Sequence, residues 1–557
     1  MIQNLANFKA GIHRIFSLGM LLLTFLDLSG VNIARGQDDT DPPEQSIGER
    51  LFLETRFAQF FFTNSDGNAN ATLPSGDPVM DTTVTTGQPL PGPFAGQSMN
   101  CRACHLVDEH NGTLGNRTYN DFARRSPIPA REDGRTVTPR NSPPLVDALL
   151  PRKGPTFLHF DGEFTAAKEL IKATLTGRNY GWLPQEQKAA VAHIARVIRE
   201  DDGAGPLAQE YGGSYRVILA GTDPGIPDEF RLPRKYRVNV ARANDKEILD
   251  KVAALIQAYM EGLVFSQDDQ GEFNGSPYDV FLQKNGLPRK PGKHETPEEY
   301  GRRMFGLIQN LPSPQFVTDA DGAFTTQHQP FQFGPTELQG LKIFLTPSNA
   351  SPAALQAGGV GNCIACHAPP AFTDFRFHNT GATQEEYDSI HGAGAFALLQ
   401  VPTLAERRKN HDAYLPPTAR HPNATGRFRA PPTAEDASLV DLGLWNVFAN
   451  PDMPRSQHAL RQVLANDEAH SQAALLPLTL ARFKTPAVRD LGQSGPYLHT
   501  GRMDTLEDVI EFYRRFSDLT RAGQNRNGDA ELNGIALTES DVAPLAAFLR
   551  ALDEDYE

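Results

Sequence analysis

Where the apolar pattern of this chain is clear, its period is helical. "QEQKAAVAHIARVIRED" (185–201) and "DKEILDKVAALIQAYMEGL" (245–263) both return apolar residues at three- and four-residue spacing. Near the C-terminus, Thr505 and Asp508 form a capping-box pattern ahead of Leu506, Val509, Ile510 and Tyr513, which share one helical face. A last helix is expected from near Thr538, with Val542, Leu545, Leu549 and Leu552 as its buried stripe. "SYRVILAG" (214–221) reads as a strand. Two stretches, "IGERLFLETRF" (47–57) and "LQGLKIFLTPSNA" (338–350), each read as a helix end running into a loop and then a cysteine-bearing turn. That recurrence marks an internal duplication. Residues 63–98 are rich in Gly, Pro, Thr and Asn and read as an extended surface insertion. A second excursion, 385–480, carries the loop-like "YLPPTARHPNATGRFRAPPTAED". The expected architecture is mainly α, with long loop insertions and little β.

Composition changes this picture little. The 557 residues hold material for two or three domains, and 47 Gly with 43 Pro agree with much loop. A formal net charge of −14 argues against nucleic acid, whose phosphates would repel the chain, and permits a small cationic redox partner. At the N-terminus, Lys9 and Arg14 precede the apolar run "IFSLGMLLLTFL", and small residues follow. This reads as an export signal over residues 1–36, and hence a periplasmic protein. The competing reading is an uncleaved single anchor, for which the run is short.

The chain has 4 cysteines, all within "NCRACH" (100–105) and "GNCIACH" (361–367). An oxidising compartment makes disulfides the first alternative, but two intervening residues give a strained loop, and a redox dithiol needs no histidine beside it. Four thiols could also make one zinc site, which would leave both histidines unexplained. Covalent haem c accounts for every group. Cys101 and Cys104 in one motif, and Cys363 and Cys366 in the other, form thioethers, while His105 and His367 supply the proximal imidazoles to iron. The duplicated pattern then becomes two cytochrome c-like haem domains. Residues 37–205 form the N-terminal one, 206–335 an inserted or linking segment, and 336–557 the C-terminal one.

With both motifs in view, the sequence resembles the bacterial di-haem cytochrome c peroxidases and their MauG relatives. The resemblance is carried by the two CxxCH sites, "RNSPP" (140–144), "FDGEF" (160–164), "FTDFRFHNTG" (372–381), "DLGLWNV" (441–447) and "FKTPAVRDLGQSGPYLHTGRMDTLEDVIEFY" (483–513). It implies that the first haem binds peroxide and the second, six-coordinate, passes or stores electrons. It implies Tyr513 as the sixth ligand of the second haem, where typical peroxidases have Met; Tyr513 as plain core is the alternative, and Met503 occupies a position the family does not use. A phenolate favours ferric iron and a thioether ferrous iron. It also implies a calcium ion held by Asn141, Ser494 and Pro496, and it assigns no iron to His378 or His499.

Three departures from the family pattern bear on function. Phe160 stands where the family has a Trp between the haems, with Tyr180 or Trp182 as substitutes for that ring. Leu170 stands about where the family has a distal Gln, and Asn179 or Tyr180 about where it has a distal Glu. Glu163 and Glu186 are the nearby carboxylates that could replace that acid–base group, with solvated helix positions as the alternative. His110 is too near His105 to reach the far face of the haem, so the first iron is expected open at rest. The sequence therefore predicts an exported peroxidase-like oxidoreductase. It would reduce hydrogen peroxide, or use peroxide or oxygen to oxidise a partner, with a small redox protein as electron donor. Two alternatives stand beside it: a di-haem electron-transfer or sensor protein without peroxide turnover, and an oxygenase acting on an organic substrate.

Overall fold

The computed structural model describes residues 41–555 apart from 82–97, 106–124, 153, 326, 328, 349–351, 466–469 and 493. The export signal, most of the first insertion's second half and His110 lie outside the described residues. Helices hold 44% of the chain and strands 4%, so the class is mainly α.

The first core gathers α1 (Pro43–Phe52), α2 (Ala167–Leu175), α3 (Gln187–Glu200), α4 (Tyr215–Ala220) and α5 (Asp245–Gly262). The second gathers α6 (Pro277–Lys284), α7 (Pro297–Gln309), α8 (Pro335–Leu345) and, from the C-terminus, α10 (Val542–Arg550), which follows α9 (Leu506–Arg521). Segment 206–335 thus divides, α4 and α5 packing with the first core and α6 and α7 with the second.

The duplication is visible in how the helices cross. A Cβ on Gly48 of α1 would run into the Leu255 carbonyl of α5, and one on Gly340 of α8 into the Pro544 carbonyl of α10. Each core needs a glycine there because the backbones touch. The capping box forms as expected: Thr505 accepts the Asp508 N–H at 3.1 Å, and its own hydroxyl donates to the Asp508 carboxylate at 2.7 Å.

One element differs from expectation. "SYRVILAG" is the helix α4, not a strand. Its β-branched and aromatic content favours a strand locally. However, Tyr215, Ile218 and Leu219 share a helical face that is buried, and the first-turn N–H of Tyr215 donates to the Asp201 carboxylate at 2.8 Å. Tertiary packing outweighs local propensity.

The second half carries a short antiparallel pair, β1 (Phe377–His378) and β2 (Phe483–Lys484), against which the first half docks. The Lys484 N–H donates to the Phe160 carbonyl at 2.6 Å, and Gly162 packs on the Phe377 ring. Arg140 ties the same joint to both halves, pairing with Asp161 at 2.6 Å and forking onto Asp441. The family-like segments of the first half, "RNSPP" and "FDGEF", therefore dock directly on those of the second.

Candidate functional site

Each cysteine pair opens a single helical turn, Cys101–Ala103 and Cys363–Ala365. In both, the histidine N–H closes onto the first cysteine's carbonyl, His105 to Cys101 at 3.0 Å and His367 to Cys363 at 2.7 Å. That closure gathers two thiols and an imidazole on one turn. Asn100 fixes the first turn, accepting the Ala103 N–H and donating to the Leu53 carbonyl at the end of α1.

Donor chemistry fits haem c. Burial pushes His105 down to about 4, with His159 nearby adding to the effect, and it lowers His367 as well. Both rings are therefore neutral at neutral pH, as an iron-ligating imidazole must be. His367 Nδ1 lies 2.9 Å from the Phe372 carbonyl, which fixes the tautomer that leaves Nε2 for a metal. The zinc alternative fails on geometry. The two pairs lie in different cores, and among the described residues the four thiols do not converge.

The two motifs have different surroundings. The first opens onto a cavity of about 740 Å³ lined by Cys101, Cys104, His105, His159, Glu163 and Tyr180, among others. One wall comes from the second half: Pro416 to Ala419, Arg429 and Asp452 to Ser456. The long excursion thus bounds the first motif's cavity. The second motif does not line this cavity. Facing it is Tyr513 on α9, whose phenol is pushed up by burial and next by Cys366 and Cys363. The Tyr513 hydroxyl has no hydrogen-bond partner among the described residues.

Of the candidate acid–base groups, Glu163 lies in the cavity. Burial pushes its carboxyl up, but the Arg429 guanidinium at 2.6 Å and His159 at 3.1 Å outweigh this and hold it well below the usual carboxylate range. Tyr180 also lies there, fully buried, its hydroxyl 3.2 Å from Cys101 Sγ and raised well above its usual range by burial and then by Cys101. Glu186 is not among the cavity-lining residues. It accepts the Leu183 N–H at 2.8 Å and a two-pronged pair from Arg131. Leu170 and Asn179 line the cavity, as does Phe160.

Asn141 donates from Nδ2 to the Pro496 carbonyl at 2.6 Å, while its buried Oδ1 lacks a protein partner. Ser494 sits two residues away in the same loop, its hydroxyl donating to the Asp490 carbonyl. An orphaned amide oxygen beside backbone carbonyls is a donor set that suits a hard cation such as calcium. His378 is no iron ligand here. Burial lowers it, but Asp374 at 2.8 Å and Asp529 at 2.7 Å outweigh burial and raise it to about 12, so it is a fixed imidazolium near Cys366. His499 is stacked on Phe483 with ring centroids 3.5 Å apart, and burial pushes it down to about 3.

Two further residues line the cavity, His159 and Arg429. His159 was legible in principle, since H-x-x-x-E places His159 four residues before Glu163. Arg429 was not, because 266 residues separate it from the glutamate it holds.

No family model matches the chain. It is 25% identical over 261 residues to the cytochrome-c peroxidase IdrP2 of Denitromonas iodatirespirans, covering 45% of this chain and 49% of that protein. It is 33% identical over 259 residues to IdrP2 of Pseudomonas sp. (strain SCT), covering 46% and 50%. The methylamine utilization protein MauG of Methylorubrum extorquens is 32% identical over 100 residues, 17% of this chain and 27% of that one. The chain spans about half the length of the IdrP2 relatives it matches. Among solved structures, the diheme peroxidase BthA of Burkholderia thailandensis is 16% identical with a TM-score of 0.42, over 93% of this chain and 87% of that one. A MauG-like protein associated with microbial copper homeostasis gives 16% and 0.42, over 93% and 91%.

Proposed function

Since the chain is a distant relative of the di-haem cytochrome c peroxidases and MauG, we propose that it is an exported di-haem oxidoreductase that reacts with hydrogen peroxide at its first haem site. Cys101, Cys104 and His105 hold that haem, and Cys363, Cys366, His367 and Tyr513 hold the second. When bound, the haems supply peroxide reactivity at one site and electron storage at the other. The observation that carries the reading is the asymmetry between the sites: a cavity of about 740 Å³ at the first motif, against a partly buried tyrosine facing the second.

The chain's own residues do the remaining work. The cavity admits a small substrate, and the wall from residues 416–419 and 452–456 limits its size. Glu163, kept ionised by Arg429, offers a fixed negative charge and a hydrogen-bond acceptor there. Tyr180 fills the space behind Cys101 with a neutral hydroxyl. The Arg140–Asp441 bridge and the Lys484 N–H bond to the Phe160 carbonyl join the half that carries one site to the half that carries the other. The net charge of −14 suits a basic one-electron donor protein.

Rapid mixing of the ferric holoprotein with hydrogen peroxide tests this. The expected result is a fast change in the Soret band, followed by oxidation of an added small cytochrome. A spectrum that stays unchanged over minutes would instead support the carrier reading.

A further inference from the structure

We infer that His159 is the proton-handling catalytic residue of the first haem cavity, with Glu163 and Arg429 as its positioning residues. The inference rests on the peroxide reading above and names the group that moves the proton.

His159 sits at the start of a tight loop whose ends are bridged, the Leu158 N–H donating to the Phe164 carbonyl at 2.9 Å. Its backbone is in the left-handed region, φ +61°, which is strained for a non-glycine residue. The surroundings over-determine that conformation. Phe164 stands edge-on to the imidazole with centroids 5.2 Å apart. Nδ1 lies 3.1 Å from Glu163 Oε2, and the same oxygen takes the Arg429 guanidinium at 2.6 Å. Ser456 donates to the Glu163 carbonyl, which fixes the loop from the second half. Asp161 and Arg140 complete the ionic layer behind them.

A carboxylate on Nδ1 sets the tautomer and turns Nε2 into the base. Among the described residues Nε2 has no hydrogen-bond partner, and the ring lines the same cavity as His105. Glu163 itself is poorly suited to carry a proton, because Arg429 keeps it ionised. The pair therefore divides the work that one distal carboxylate would do alone. His159 accepts the proton from one oxygen of hydrogen peroxide and returns it to the other, the O–O bond breaks, and that oxygen leaves as water. In overall balance, peroxide takes two electrons and two protons and becomes two waters. The two electrons come, one at a time, from a one-electron donor protein.

Cyanide is the probe, because it approaches as HCN and must lose its proton to bind ferric haem. With the fully loaded holoprotein, His159→Gln is expected to slow cyanide association about 10²-fold, and Glu163→Gln about tenfold. Carbon monoxide binding to the reduced protein, which moves no proton, is expected to stay at the wild-type rate in both variants. Cyanide association unchanged in His159→Gln overturns the inference and leaves the peroxide reading standing. Equal slowing of cyanide and carbon monoxide also overturns it, because the residue would then only shape the cavity. Failure of the wild type to bind either ligand overturns the peroxide reading itself.

Discussion

Replacing Asp201 with alanine is expected to cost the first core about 3–5 kcal/mol, the usual penalty for stranding a buried charge. Asp201 is 5% exposed and receives Arg50 at 3.0 Å and Arg56 at 2.9 Å, as well as the first N–H of α4. Arg56 in turn forks onto Glu54, whose carboxylate also takes the Tyr215 hydroxyl at 2.9 Å. Arg50 lies 3.8 Å over the Tyr215 ring and is wholly buried. Without Asp201, Arg50 keeps hydrogen bonds only to the Tyr211 and Gly213 carbonyls, and Arg50 and Arg56 are left to share the one Glu54 carboxylate. Chemical denaturation of the holoprotein gives the measurement, and a loss under about 1 kcal/mol, the range of exposed ion pairs, would show that the network is not buried in solution. The same network sets an acid limit. Burial raises Glu54, but Arg56 outweighs it and brings the carboxyl down to about 2. A carboxyl whose folded value is depressed stabilises above its unfolded value. That share is therefore complete above the ordinary glutamate value of 4.5 and is lost as the pH falls through about 2.

Exchanging Tyr513 for Met is expected to raise the potential of the second haem by on the order of a few hundred millivolts, within the roughly 0.8 V that axial ligands span. The ring lies on the face of α9 turned toward Cys363 and Cys366, flanked by Phe512 at 5.5 Å. An anionic oxygen ligand favours ferric iron, and a thioether favours ferrous iron. Spectroelectrochemical titration reads the shift, with Tyr180→Phe as the control that leaves the second haem's potential in place. If the second potential did not move in the Met variant, Tyr513 would be core and not a ligand.

The chemistry of the two cysteine sites was legible because covalent attachment demands a fixed spacing, and spacing is what a sequence displays. The Thr505 cap and the stripe of α10 were legible for the same reason, since their partners lie within one or two turns. Non-local features were hidden. α4 is strand-like in its local sequence, because its buried face and its Asp201 contact come from the fold and not from the octapeptide. Glu163 is legible as a carboxylate near the first motif, but its state depends on Arg429, which the second half brings across the cavity. Glu186 had the right residue type and neighbourhood in sequence, yet the turn at Leu183–Glu186 aims it at Arg131.

The claim on which the account depends is that one iron site is open and the other is closed by a protein side chain. Titrating the fully loaded ferric protein with cyanide, followed in the Soret region, tests it most directly. One cyanide bound per chain is the expected result. Two per chain would mean that Tyr513 leaves the second site vacant, and none would mean that a side chain already fills the first.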